Sequence, residues 1–166
     1  MKCPDVPIPE RLAHLDRDPR GYPIFWAATN PDEPGDYSFR GIYAKRALES
    51  GARKLCQLCG TPLGYWVCFS GGPKSCVNRV FSEPPMHREC LEYAYQVCPF
   101  LLRGGWDRSR TILAEHVKEA DPYGDVTKPE RMGIYVTRGY EMKSDGSALL
   151  FFVRPAKQII WKDVTA

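Results

Sequence analysis

Hydrophobic and polar positions change their rhythm several times along the chain. From Met1 to Arg20, four prolines (Pro4, Pro7, Pro9, Pro19) and scattered charges deny helical continuity and leave little to bury, so residues 1–20 read as an extended N-terminal arm. Tyr22 to Thr29 is short and aromatic, bounded by Gly21 and by Asn30-Pro31, the pattern of a strand that begins on an edge-tolerant proline. Between Ile42 and Ser50 the residues Ile42, Tyr43, Ala47 and Leu48 lie near helical spacing, and Gly51 stands where a left-handed cap closes a helix. Strand and helix together define a region 21–54.

Residues 55–102 have a different texture. Gly64 to Phe69 and Ser75 to Phe81 flank Gly71-Gly72 and read as a hairpin. After Pro84-Pro85, the recurrence of Leu91, Ala94, Tyr95 and Cys98 predicts a helix over His87 to Val97, with Glu83 as its cap. Region 103–166 opens on Arg103-Gly104-Gly105. There Thr111 to Ala120 has helical spacing with Ile112, Leu113, His116 and Val117 inward, and Asp121 to Glu130 reads as loop. Met132 to Tyr140, Ala148 to Arg154 and Lys157 to Val164 are rich in β-branched and aromatic residues, with a turn at Ser144 to Ser147, and predict a C-terminal antiparallel β meander. The expectation is an α+β protein in which regions 55–102 and 103–166 form one compact domain, joined by the strand at Pro23 to Thr29.

Composition sharpens this picture. With 43% hydrophobic and 26% charged residues, the 166-residue chain is that of an ordinary soluble domain. Its longest apolar run, Ala148 to Val153, is far shorter than the roughly 20 residues that span a bilayer, and Met1-Lys2-Cys3-Pro4 leads into charge instead of an apolar signal core. A cytoplasmic protein without a membrane partner is expected. In that compartment seven cysteines, an odd number, point to a metal site before disulfides.

The spacing supplies such a site. Cys56-Gln57-Leu58-Cys59-Gly60 lets two sulfurs converge from one tight turn, with Gly60 relieving the backbone beneath them. His87 and Cys90 stand three apart, so the first turn of a helix presents both on one face. Cys56, Cys59, His87 and Cys90 are the expected ligands of one structural Zn2+, a closed Cys3His set with no open position for chemistry. Knuckle, hairpin and helix follow in the order of a treble-clef zinc finger from Leu55 to about Val97. Cys68, Cys76 and Cys98 read as core residues, with an exchange of Cys76 for one ligand left open.

No catalytic residues emerge. The treble clef is also the scaffold of HNH nucleases, which need a histidine on the hairpin as general base, and Gly64 to Phe81 contains none. His14 and His116 lack a neighbouring nucleophile in sequence, and Ser70-Gly71-Gly72-Pro73-Lys74 lacks the full phosphate-loop pattern, so no small-molecule substrate is evident. Charge suggests binding instead. Residues 51–110 hold eight Lys and Arg against four Asp and Glu. Arg53, Lys54, Lys74, Arg79, Arg88, Arg103, Arg108 and Arg110 are candidate phosphate contacts, with Tyr65, Trp66 and Trp106 as stacking surfaces. A protein partner fits the same scaffold, and Arg103-Gly104-Gly105-Trp106-Asp107-Arg108 is the surface patch to watch, with Arg79, Arg88 and Arg110 as further partner-binding candidates.

Leu58-Cys59-Gly60 with Pro62-Leu63-Gly64, then Asn78-Arg79-Val80, Glu83-Pro84-Pro85, His87, Cys90, Glu92-Tyr93 and Cys98-Pro99-Phe100-Leu101 resemble a family of small uncharacterised proteins. These are encoded by bacteriophages and by actinobacterial and other bacterial genomes. Pro9-Glu10-Arg11-Leu12, Arg20-Gly21-Tyr22-Pro23 and Val136-Thr137-Arg138 extend the likeness over most of the chain. The resemblance implies a phage or prophage setting, in which small proteins commonly act by coating or regulating nucleic acid or by occluding a host or defence protein. It implies no activity, and a metal-dependent HNH-like nuclease stands as the alternative.

Overall fold

A computed structural model describes residues 1–102, 128–144 and 148–165. Its elements are α1 (Ala44–Arg53), β1 (Val67–Gly71), α2 (Pro73–Asn78), β2 (Val80–Phe81), α3 (Arg88–Val97), β3 (Arg131–Thr137), β4 (Tyr140–Ser144), β5 (Leu149–Val153) and β6 (Gln158–Asp163), preceded by short 3-10 turns at Glu10–Leu12 and Trp26–Ala28. The architecture is α+β. Two antiparallel three-stranded sheets have the orders β1-β3-β6 and β2-β5-β4.

The first sheet is central because both of its faces are buried. On β3, Ile134 and Val136 point to one side and Tyr135 to the other, as the two-residue period of a strand requires. Cys68 of β1 and Ile160 of β6 join the first side, while Val67, Phe69, Ile159 and Trp161 join the second. Such a sheet reads as a nearly continuous apolar run, which is why Met132 to Tyr140 shows little alternation. Helix α3 covers the first side with Leu91, Ala94 and Val97, and its Tyr95 hydroxyl meets the Ser70 hydroxyl at 2.6 Å. The second sheet covers the other side through Phe81, Phe151 and Val153, with Phe69 central among Phe81, Phe151 and Tyr140 at ring separations of 5.4, 5.9 and 5.5 Å.

Several expectations are corrected. Residues 1–20 do bury side chains: Leu12 is 1% exposed inside the α3 layer, with Cys3, Val6 and Leu15 against it. The prolines forbid a long helix there but not packing. Tyr22 to Thr29 forms no strand, since Trp26–Ala28 is a 3-10 turn and only isolated bridges flank it. The predicted hairpin is absent. Pro73 occupies the first turn of α2, where its missing N–H and fixed φ suit a helix start, and the helix sends β1 and β2 into different sheets. The C-terminal strands form no single meander either. The break at Arg138-Gly139 separates β3 from β4, and β3 pairs with β1 and β6 while β4 pairs with β5. Helix α1 runs through Gly51 and ends on Lys54, which takes the left-handed cap conformation at φ 54°. Gly51 is needed for a different reason: a Cβ there would lie 2.4 Å from Met142 Sδ and 2.7 Å from Phe151. Glu83 is not the cap of α3, because His87 holds that position and makes no side-chain capping bond. The helix expected at Thr111 to Ala120, the loop up to residue 127 and the turn at 145–147 lie outside the described residues. Among those described, no helix is long and apolar enough to cross a membrane.

Candidate metal centre

The knuckle is built from backbone hydrogen bonds. Cys56 N–H donates to Thr61 O at 2.9 Å, Gly60 N–H to Cys56 O at 2.8 Å and Leu63 N–H to Lys54 O at 2.9 Å, closing a tight loop between Leu55 and Pro62. Gly60 makes the loop possible twice over. Its φ of +74° favours glycine, and a Cβ would stand 2.6 Å from the Trp26 ring.

Two further ties bring His87 to this loop. Met86 and Cys68 exchange backbone hydrogen bonds of 2.8 Å each, docking the segment before α3 on β1, and Gln57 N–H donates to Pro85 O at 3.1 Å. With His87 at the N-terminal cap and Cys90 in the first turn of α3, both face the knuckle. The structure thus gathers Cys56, Cys59, His87 and Cys90, all buried, with their ligating atoms within 4.8 Å of one another. His87 Nδ1 lies 3.3 Å from Cys59 Sγ and 3.9 Å from Cys90 Sγ. A tetrahedral ion with ordinary Zn–S and Zn–N bonds sets sulfur and nitrogen about 3.6 Å apart, so these separations bracket the required one.

Protonation follows from the surroundings. His87 Nε2 is 2.9 Å from the Pro62 carbonyl, which only accepts, so Nε2 keeps its proton and Nδ1 is the atom offered to an ion. Burial by itself would lower the imidazole pKa, but hydrogen bonds and charge from Cys56 and Cys59 push it up to about 10. Hydrogen bonds with Cys56 and Cys90 pull the Cys59 thiol far below its ordinary range. Contacts with Cys56 and Cys59 push Cys90 the opposite way. Three sulfurs this close cannot all ionise without a shared positive charge, which a divalent cation supplies.

Outer contacts complete the set. His87 N–H points at Cys56 Sγ (3.3 Å), Thr61 Oγ1 lies 3.0 Å from Cys59 Sγ, and the His14 ring donates to Cys59 O at 2.9 Å. Trp26 and Ala27 add backbone bonds to Leu58 O and Gln57 O. The Arg11 guanidinium pairs with Glu89, and Arg17 donates to Tyr93 Oη at 3.2 Å, so the N-terminal segment clasps both knuckle and α3. Thr61, next to the knuckle motif, was recognisable in principle as a thiolate partner. His14 was not, being 45 residues away from Cys59.

The remaining sequence candidates are dispersed. Cys68 is buried against α3, its thiol pushed up to about 12 by burial, while Cys76 lies in the aromatic layer on the far side of the central sheet. Cys98, half-buried at the end of α3, is likewise raised by burial. Arg88 pairs with Glu92 at 3.2 Å, Arg53 with Glu49 at 2.6 Å, and exposed Arg79 caps α2 in the left-handed region at φ 57°. Arg103, Trp106, Arg108, Arg110 and His116 lie outside the described residues. Compared with known proteins, the chain matches no family model, no curated protein and no solved structure.

Proposed function

We propose that this chain is a zinc-stabilised, non-catalytic binding protein. The observation behind the reading is the closed donor set: three thiolates and an imidazole, contributed by a knuckle and a helix start, account for a full tetrahedral sphere and leave no position for water or substrate. Soft sulfur with one nitrogen suits zinc. Knuckle and helix follow treble-clef order, with β1, α2 and β2 in place of the hairpin.

The ion's role here is to join segments that bury too little by themselves. Structural zinc contributes on the order of 10 kcal/mol to small modules of this kind, ample to hold the irregular first quarter of the chain on α3. Its partner is a macromolecule, either nucleic acid or a host protein occluded in a phage-infected cell, as the sequence resemblance suggests. Native mass spectrometry of protein purified without chelator tests the reading. One zinc per chain with a co-purifying macromolecule is expected. A metal-free folded chain, or zinc-dependent cleavage of plasmid DNA, would overturn it.

A further inference from the structure

One end of the sheet pair combines exposed aromatic rings with exposed cations. Tyr65 and Trp66, leading into β1, are 67% and 42% exposed and meet edge to face at 5.0 Å. Lys157 Nζ sits 4.6 Å above the Trp66 ring, and Lys157 N–H donates to Val136 O. The register of β1 on β3 ends with Val67 opposite Thr137, so Trp66 and Arg138 are the next residues along the two strands at this end. Arg154 is anchored to the same corner: its N–H donates to Gly139 O at 3.0 Å, and its carbonyl accepts from the Tyr135 and Thr137 hydroxyls. Arg79 O accepts from Val153 N–H at 3.0 Å, which brings the Arg79 backbone to the strand end that leads into Arg154.

Arg79, Arg138, Arg154 and Lys157 are all exposed, and among the described residues none forms an ion pair, unlike Arg11, Arg20, Arg53 and Arg88. The segments that build this end (63–67, 79, 136–140 and 153–158) contain no Asp or Glu. The patch complements a polyanion, and its exposed apolar surface is aromatic.

We propose that this end binds single-stranded nucleic acid, with Tyr65 and Trp66 as base-stacking platforms and Arg79, Arg138, Arg154 and Lys157 following the phosphates. This rests on the binding-protein reading above and names both its ligand class and its surface. Perpendicular rings suit unstacked bases, whose faces are free; a duplex buries those faces in its own stack. Guanidinium forks match phosphate oxygens, and a cation over Trp66 puts charge next to a stacked base. An acidic protein would be drawn by the same charge, but every nucleotide of a single strand offers both a phosphate and a flat face, which matches rings and cations set side by side.

Fluorescence anisotropy with a labelled 12-nucleotide oligothymidylate, on zinc-loaded full-length protein, tests this directly. Binding is expected to be tighter than to a duplex of equal length or to polyglutamate. Trp66→Ala should weaken it by about 10- to 100-fold, the range of one base–aromatic stack. Arg138→Gln with Arg154→Gln should lower the slope of log affinity against log salt by about 1.4, the value for two phosphates on a single strand. Lys45→Gln, an exposed residue of α1 outside the patch, should leave affinity within about two-fold, and zinc content and thermal unfolding of each variant establish that it is folded. Equal affinity for duplex or polyglutamate, or indifference to Trp66→Ala in a folded variant, would overturn the proposal. Zinc-loaded protein that ignores the oligonucleotide would defeat this inference alone, whereas a folded chain without zinc would defeat the reading beneath it.

Discussion

The two faces of the central sheet hold their covering layers by different means. Toward the second sheet, Phe69, Phe81, Tyr135 and Phe151 interlock between regular strands, and burial of ring area is enough to hold them. Toward α3, the layer consists of one ten-residue helix, a knuckle and an N-terminal segment with a single turn of 3-10 helix. There, three cysteines and a histidine stand where the other face has phenylalanines. The lesson is one of division of labour: where the backbone is irregular and few ladder hydrogen bonds hold it, a metal centre can supply a cross-link beside the apolar packing.

The comparison can be broken most forcefully at the centre itself. Cys56→Ser or Cys90→Ser should abolish zinc retention and the folding of the α3 face, read by metal analysis and amide exchange; a variant that keeps its zinc and its protection would refute the ligand assignment. On the opposite face, Phe151→Ala should cost about 3–5 kcal/mol in urea unfolding while the folded protein still carries one zinc, because the ring is fully buried yet remote from the knuckle. Loss of zinc from that folded variant would show the two layers to be inseparable.

Gly51→Ala sharpens the contrast at the rim of the aromatic layer. Helix propensity alone predicts a gain of about 1 kcal/mol, but the added methyl would press on Met142 and Phe151, so a net loss of about 1–2 kcal/mol is expected. A stabilised variant would contradict the close approach of α1 to the second sheet.

The smallest effect concerns Asp18 in the N-terminal segment. Burial raises its carboxyl pKa, but the Arg20 guanidinium and the backbone N–H groups of Tyr22 and Arg20 outweigh it and hold the folded-state value below the ordinary one. A depressed carboxylate contributes stability that is full above the unfolded value of about 4 and is lost as pH falls through the folded one. Asp18→Asn should therefore be less stable than the parent at pH 7, with the gap closing below pH 4; a gap independent of pH would mean the carboxylate charge plays no part.

What could be read beforehand follows physical range. The gathering of the four residues was legible because each pair, Cys56 with Cys59 and His87 with Cys90, is fixed by a single turn of backbone. Helix α3 and strands β3, β5 and β6 were legible from local apolar pattern, whereas β4, with its half-exposed Tyr140–Ser144, was not marked as a strand of its own. Pairing was not: Val67 finds Thr137 across 70 positions, and nothing in either strand names its partner. The supposed hairpin failed because Gly71-Gly72-Pro73 serves a turn and a helix start equally well, and only the destinations of β1 and β2 distinguish them. Leu12 was missed since a proline-rich segment hides an isolated core residue from any periodicity.

Hydrogen exchange on the full chain, before and after removal of metal by a chelator, addresses the central claim most directly. The account predicts one zinc in the starting protein and, on its removal, loss of protection in the knuckle and along Leu91 to Val97 that exceeds any loss in Leu149 to Val153. Unchanged protection in the knuckle and α3 after complete loss of metal would contradict it.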